Sequence, residues 1–311
     1  MKRILLFLLL LGMSFSALSQ TKMFINKSDG TIDSMLLSDV KSISIKSGSS
    51  YLVQVAGGTF QMGTTVNSDE QPVHQVSVGS FNIDIYEITY EKWTDICNWG
   101  LIHGYTDLPS GSNGIYPIGT NNPVTYINWY DIMKWCNARS EKDGLTPVYY
   151  TSNTFATVYR SGNIALSADA VNWTANGYRL PTEAEWEFAA RGGNFTQGYI
   201  YSGSNTIGDV AWYYSNSPNS THTVGTKTAN ELGIYDMSGN AWEWCWDWYG
   251  AYLSTTQTDP KGPTTGTSRV LRGGSFSSNI ISAENSCRIA ARFFFSPSVR
   301  DYGIGFRCVQ K

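Results

Sequence analysis

The sequence predicts an α+β fold of irregular, loop-rich build, and three observations carry that prediction. Only three segments of the 311 residues bear both helix start and stop signals; the rest is short strand-like runs between Gly, Asn, Ser and Pro turns. Charged residues make up 15%, against roughly 25% in ordinary soluble domains. Aromatics reach 14%, with 11 Trp, 19 Tyr and 13 Phe. A surface so poor in charge is wetted by hydroxyls, side-chain amides and backbone, which suits a rigid secreted protein. At 41% hydrophobic the chain can bury one large core or two modest ones, which excludes disorder. The formal net charge of −3 comes without a basic stripe, so nucleic acid is excluded as a partner.

Residues 1–20 read as an export signal. Lys2 and Arg3 give the positive start, residues 4–13 an apolar core too short to span a bilayer, and residues 14–20 a small, polar exit. No Cys follows the apolar core, so no lipid anchor is expected, nor any transmembrane segment after signal cleavage. The expected location is periplasmic or extracellular, where disulfides form. Residues 21–50 form a leader in which two short strands flank Ser28-Asp29-Gly30, a hairpin signal. Residues 40–45 are a candidate third strand, and 46–50 a Ser/Gly linker. Residues 51–311 continue without a comparable break as one domain.

The three helices follow from their caps. Thr89 can cap a helix over about residues 90–98, with Trp93 and Ile96 or Cys97 inward. Asn128 can cap a second, where Trp129, Ile132, Met133 and Cys136 share a face and Gly144 ends it. Thr182-Glu183-Ala184-Glu185 is a capping box behind Pro181, and Gly192-Gly193 closes that third helix.

Between and around these helices lies an ordered set of motifs. Gly57-Gly58-Thr59-Phe60-Gln61-Met62-Gly63 opens it, followed by Pro72-Val73-His74 and Tyr86-Glu87-Ile88-Thr89. Pro123-Val124, Asn128-Trp129 and Tyr178-Arg179-Leu180-Pro181-Thr182-Glu183-Ala184-Glu185-Trp186-Glu187 come next. Tyr235-Asp236-Met237-Ser238-Gly239-Asn240-Ala241-Trp242-Glu243-Trp244, Arg272-Gly273-Gly274-Ser275-Phe276 and Gly305-Phe306-Arg307-Cys308 complete it. In this order residues 51–311 resemble the formylglycine-generating enzyme, or sulfatase-modifying factor, family. The resemblance implies a variant of the C-type-lectin-like fold and, as chemistry, the oxygen-dependent conversion of a client sulfatase cysteine to formylglycine.

That chemistry rests on two cysteines after the Gly-Gly-Ser motif, whose thiolates hold copper(I), a soft ion that hydroxyls do not replace. Here Ser278 stands at the first position and Ala283 or Glu284 at the second, so copper is not expected. The resemblance also implies a Cys136–Cys308 disulfide; a second family bridge would need cysteines at Ala190 and Ile289. Cys245 and Cys287 have no counterpart in that pattern, and read either as a replacement disulfide or as a displaced redox or metal pair. Cys97 is expected to be a buried free thiol. Asp236, Gly239, Ala241 and Glu243 match a family calcium loop of carboxylates and carbonyls, the donors calcium prefers. The other reading is a tight turn whose side chains satisfy backbone amides. Ser275, Arg292 and Trp242 match residues lining the family's client cleft, with Ser278 as a further candidate.

His74, His103 and His222 show no zinc or iron spacing. Gly273-Gly274-Ser275 lacks the strand–elbow–helix context of a serine nucleophile. The clusters at 212–214 and 244–249 read as core, or as rings that stack on sugars. Two function classes result. The first is an exported binding or assembly module with a peptide- or glycan-binding cleft and a structural Ca2+. The second is an oxidoreductase acting on a client-protein cysteine through a displaced thiol or another cofactor. The sequence leaves the oligomeric state open.

Overall fold

The computed structural model describes residues 22–26, 32–36, 51–114, 119–217, 219–277 and 283–311. Residues 1–49 and 50–311 are separate compact units. In the first, β1 (Lys22–Asn26) pairs antiparallel with β2 (Ile32–Leu36), Lys22 opposite Leu36. The Asp29-Gly30 tip, the run at 40–45, the linker at 46–50 and the export signal lie outside the described residues. Among the described residues no helix is long and apolar enough to cross a membrane.

Three small sheets organise the second unit. One has the order β3 (Leu52–Val55), β6 (Phe81–Asp84), β13 (Val309–Gln310), β7 (Tyr178–Arg179). Another runs β11 (Phe293–Phe295), β10 (Arg269–Arg272), β8 (Trp242–Trp248), β12 (Ile304–Gly305). The third is β4 (Gly58–Met62), β5 (His74–Val78), β9 (Gln257–Thr258). Short strands joined by long loops give the irregular architecture the composition implies.

The helices start where their caps place them. Thr89 Oγ1 accepts from Lys92 N at 3.2 Å and opens α1 (Tyr90–Leu101), which buries Trp93 and Ile96 completely. This helix runs beyond residue 98, to Leu101, where the Gly100 carbonyl accepts N–H bonds from His103 and Tyr105. Asn128 opens α2 (Trp129–Lys142) in a capping box completed by Asp131. Thr182 and Glu185 form the box of α3 (Glu183–Ala190), and Gly192 and Gly193 turn the chain away at φ 85° and 57°. α4 (Ile207–Val210) and α5 (Ala283–Ser286) are single turns.

β8 divides the two main cores by simple alternation. Trp244 and Trp246 enter a cluster built on α1 and α2, with Trp93, Trp129, Trp135 and Phe306. Cys245 enters a second cluster under α3 and the β3–β6 sheet. Each buried indole contributes roughly 4–6 kcal/mol of area burial before entropic costs. On the α3 side of the strand, Glu243 accepts from Trp186 Nε1 at 2.8 Å and Asp247 from Glu183 N at 2.8 Å.

All five cysteines are free thiols in this structure. Cys136 and Cys308 bring their sulfurs to 3.6 Å in a fully buried contact. Cys245 and Cys287 are not brought together, contrary to the pairing the sequence suggested. Alternation along β8 turns Cys245 into the second core, whereas Cys287 belongs to a separate small cluster with Tyr201 and Val210. Ala190 and Ile289, where a family bridge is missing, both lie in the second core as ordinary apolar residues. Cys97 is half-buried on α1, and burial pushes its thiol up to about 12.

Candidate functional site: the Gly-Gly-Ser loop and the turn beside it

β10 delivers the chain into Gly273 and Gly274, both with positive φ, and then into Ser275. A Cβ at Gly274 would sit 2.7 Å from Cys287 Sγ, so only glycine passes there. The loop is tied to the neighbouring turn: Gly239 N donates to Gly273 O at 2.8 Å, and Phe276 N to Asn240 O at 3.0 Å. Ser275 is fully buried, its Oγ 3.1 Å from Ser277 Oγ. Ser278 lies outside the described residues.

An aromatic surface adjoins this loop. Trp242 N donates to Gly303 O at 2.8 Å, and its ring stacks on Phe293 at 5.4 Å. Tyr126 and Tyr302 stack at 4.5 Å and are 43% and 39% exposed, so two ring faces meet solvent beside the 301–303 backbone. The trio expected to line one cleft is thereby split. Arg292 turns the other way from Phe293 and spends its guanidinium on Glu183, at 2.6 and 2.9 Å, and on the carbonyls of Asp69 and Gly250. These partners include neither Ser275 nor Trp242, in keeping with neighbouring residues of an extended chain pointing to opposite faces.

The turn at 236–243 holds more acid than base. Asp236 Oδ2 accepts from Gly225 N at 2.7 Å, while Oδ1 is buried without a partner. Burial pushes the Asp236 carboxyl up to about 6. Glu87 accepts from Ala241 N and Asn240 Nδ2, and burial, with Asp236 and Glu243 nearby, pushes it well above the usual carboxylate range. Glu243 is held by Arg307 and by Trp186 Nε1. Three buried carboxylates therefore face one guanidinium. That balance and the orphaned Asp236 oxygen fit a hard cation, although both Glu243 oxygens already accept hydrogen bonds. Among the described residues no three His, Cys, Asp or Glu side chains converge as a metal cluster, so backbone carbonyls would have to supply the remaining ligands.

Sequence reasoning missed Glu87 and Arg307 as parts of this turn, although both stood in quoted motifs; only the fold brings positions 87, 243 and 307 together. The remaining thiols near the loop are poor nucleophiles. Burial pushes Cys287 up to about 12 and Cys245 well above the ordinary thiol range.

Known proteins are similar to this chain in sequence and fold. Residues 44–311 match the sulfatase-modifying factor enzyme 1-like domain family. The chain is 39% identical over 258 residues to a chaperone protein, LppX, of Paenibacillus barcinonensis, covering 76% of this chain and 81% of that one. It is 30% identical over 292 residues to the formylglycine-generating enzyme of Streptomyces coelicolor, covering 82% and 88%. The solved Treponema denticola variable protein 1 superposes with a TM-score of 0.69 at 34% identity, covering 83% of this chain and 94% of that one. Gly-Gly-Ser loop, acid-rich turn and loop-borne sheets together make this chain a member of the sulfatase-modifying factor family, on the family's variant of the C-type-lectin-like fold.

Proposed function

We propose that the protein is an exported binding or assembly module of this family, holding a peptide or glycan client without copper-dependent formylglycine generation. One observation carries the reading: serine stands at 278, and neither 283 nor 284 is cysteine. The soft-metal ligands are lost, and Cys245 and Cys287 lie apart and buried. What remains at the loop is shape and aromatic surface, with Trp242 stacked on Phe293 and Tyr126 stacked on Tyr302. Such surfaces recognise extended chains or sugar rings without reacting with them. A relative named a chaperone protein supports an assembly role. The same scaffold hosts unrelated tasks elsewhere. A structural Ca2+ belongs to the proposal, held through Asp236 and Glu243 with the carbonyls of Gly239 and Ala241.

The test is direct. Purified protein is incubated with copper, oxygen, a reductant and a peptide carrying Cys-x-Pro-x-Arg, and the peptide is read by mass spectrometry. The expected result is unchanged cysteine. Aldehyde product from the wild type, abolished by Cys287→Ser, would instead establish a relocated thiol as the reactive group.

A further inference from the structure

Away from the Gly-Gly-Ser loop, a cavity of about 280 Å³ opens between β8, the loops around 250–263 and the start of α3. Neither Ser275 nor Trp242 lines it. Two polar side chains reach it with a hydrogen-bonding atom to spare. Asp247, 3% exposed, accepts Glu183 N through Oδ2, and its Oδ1 has no partner. His74, 5% exposed, donates through Nδ1 to Pro72 O at 3.0 Å, and its Nε2 has no partner. The walls are apolar: Met62, Trp248, Leu253, Pro260 and Pro263. Of the charged wall residues, Lys261 is exposed, with its Nζ 4.4 Å over the Trp173 ring, and Glu183 and Arg292 are engaged with each other and their neighbours. Glu183 is held by Arg292, by Arg272 at 3.4 Å and by Tyr252 Oη at 3.1 Å, and Arg292 lies 3.9 Å over the Tyr252 ring.

We propose that this cavity is a second binding site, for one neutral, hydroxyl-rich ring of monosaccharide size, held by Asp247 and His74. Both atoms are free to bond into the cavity, and two such atoms on one apolar-walled cavity suit a ligand with more than one hydroxyl. The buried carboxylate and guanidinium neutralise each other and Lys261 turns its Nζ onto Trp173, so no buried wall group is left to hold a fixed charge on the ligand. Burial, with Glu183 adding to it, pushes Asp247 up to about 8, so at neutral pH it carries a proton and both donates and accepts. Apolar walls suit the C–H faces of a pyranose, and the volume admits one ring rather than an oligosaccharide. The proposal is independent of the reading of the Gly-Gly-Ser loop, with which it shares no residue facing the ligand.

The experiment uses the purified protein and four probes: the methyl pyranosides of glucose, galactose and mannose, and N-acetylglucosamine. Saturation-transfer NMR detects contact and calorimetry gives the dissociation constant, expected in the millimolar range. His74→Phe keeps a ring packed against Tyr252 but removes Nε2, and should weaken binding at least tenfold. Asp247→Asn, a neutral isostere that keeps one oxygen for Glu183 N, should bind within a few-fold of wild type. Asp247→Leu, if folded by circular dichroism, should not bind. Absence of saturation transfer from all four probes overturns the proposal. So does binding that His74→Phe leaves unchanged, or preferential binding of n-butylamine that strengthens as pH rises, which would make the site a cation pocket.

Discussion

Two buried charge clusters flank β8, and they dispose of their acid in different ways. Around α3, Glu183 and Glu187 are met by Arg272, Arg292 and Arg191, almost atom for atom. The one carboxylate there without a cation, Asp247, keeps its proton instead. Around the 236–243 turn, Glu87, Asp236 and Glu243 share the single guanidinium of Arg307. Apart from Asp247, the first cluster is closed within the chain and acts as a rivet. The second is complete only with something added, a proton or a cation. Burial alone therefore does not tell structure from function; the charge left over after pairing does.

The largest expected effect concerns the anchor of the acid-rich side. Cys308 follows Arg307, the sole cation of that cluster, and touches Cys136 across 172 positions of sequence. Oxidation to a Cys136–Cys308 disulfide should stabilise the fold by about 5 kcal/mol on the loop-entropy model. Urea titration with and without reductant measures it, and peptide mapping that finds both thiols free in protein isolated without reductant would remove the bond from the account. Next in size, Arg272→Ala strips both Glu183 and Glu187 of a partner. That should cost about 3–5 kcal/mol by chemical denaturation, because it leaves buried charge uncompensated. If the loss is under 1 kcal/mol (roughly the worth of a surface pair), the rivet is no rivet.

A pH series sharpens the contrast further. Asp247 binds a proton more tightly folded than unfolded, so the unfolded chain ionises first and stability falls as pH rises between the ordinary Asp value and about 8. From about pH 5.5 to 7.5 this contributes on the order of 2–3 kcal/mol of loss. Asp247→Asn should flatten that part of the curve, and an unchanged slope in the mutant assigns the loss to other groups. An effect of similar size belongs to the open cluster. Calcium at a hundredfold excess over its dissociation constant should add about 2.7 kcal/mol, raising the melting temperature of the wild type but not of Asp236→Ala. A wild-type melting curve indifferent to calcium and to EDTA counts against the ion.

How much of this was legible depended on distance along the chain. The caps at Thr89, Asn128 and Thr182 could be read because a cap is a contact between residues three apart. The Gly-Gly-Ser loop and the turn were legible as motifs. Their joining, through Gly239 N and Gly273 O, was not. The pairing of Arg292 was not legible because its partner, Glu183, lies 109 residues earlier and no local pattern marks the pair. Cys245 was misread for a simpler reason: in a strand buried on both faces, polarity does not reveal which way a residue points. His74 and Asp247, facing one cavity from different sheets, left no signal at all.

One strand has a consequence for how the molecule is made. β13 lies between β6 and β7, with Val309 opposite both Ile83 and Arg179, and Asp84 Oδ2 accepts from Cys308 N at 2.9 Å across 224 positions. The sheet that opens the domain is thus closed by residues synthesised long after it. At 5–20 residues per second, β3 and β6 wait roughly 10–45 s for that partner, with a backbone edge open to any other strand. During that interval this one sheet stays open, and its native strand order is complete only when residue 310 has been made.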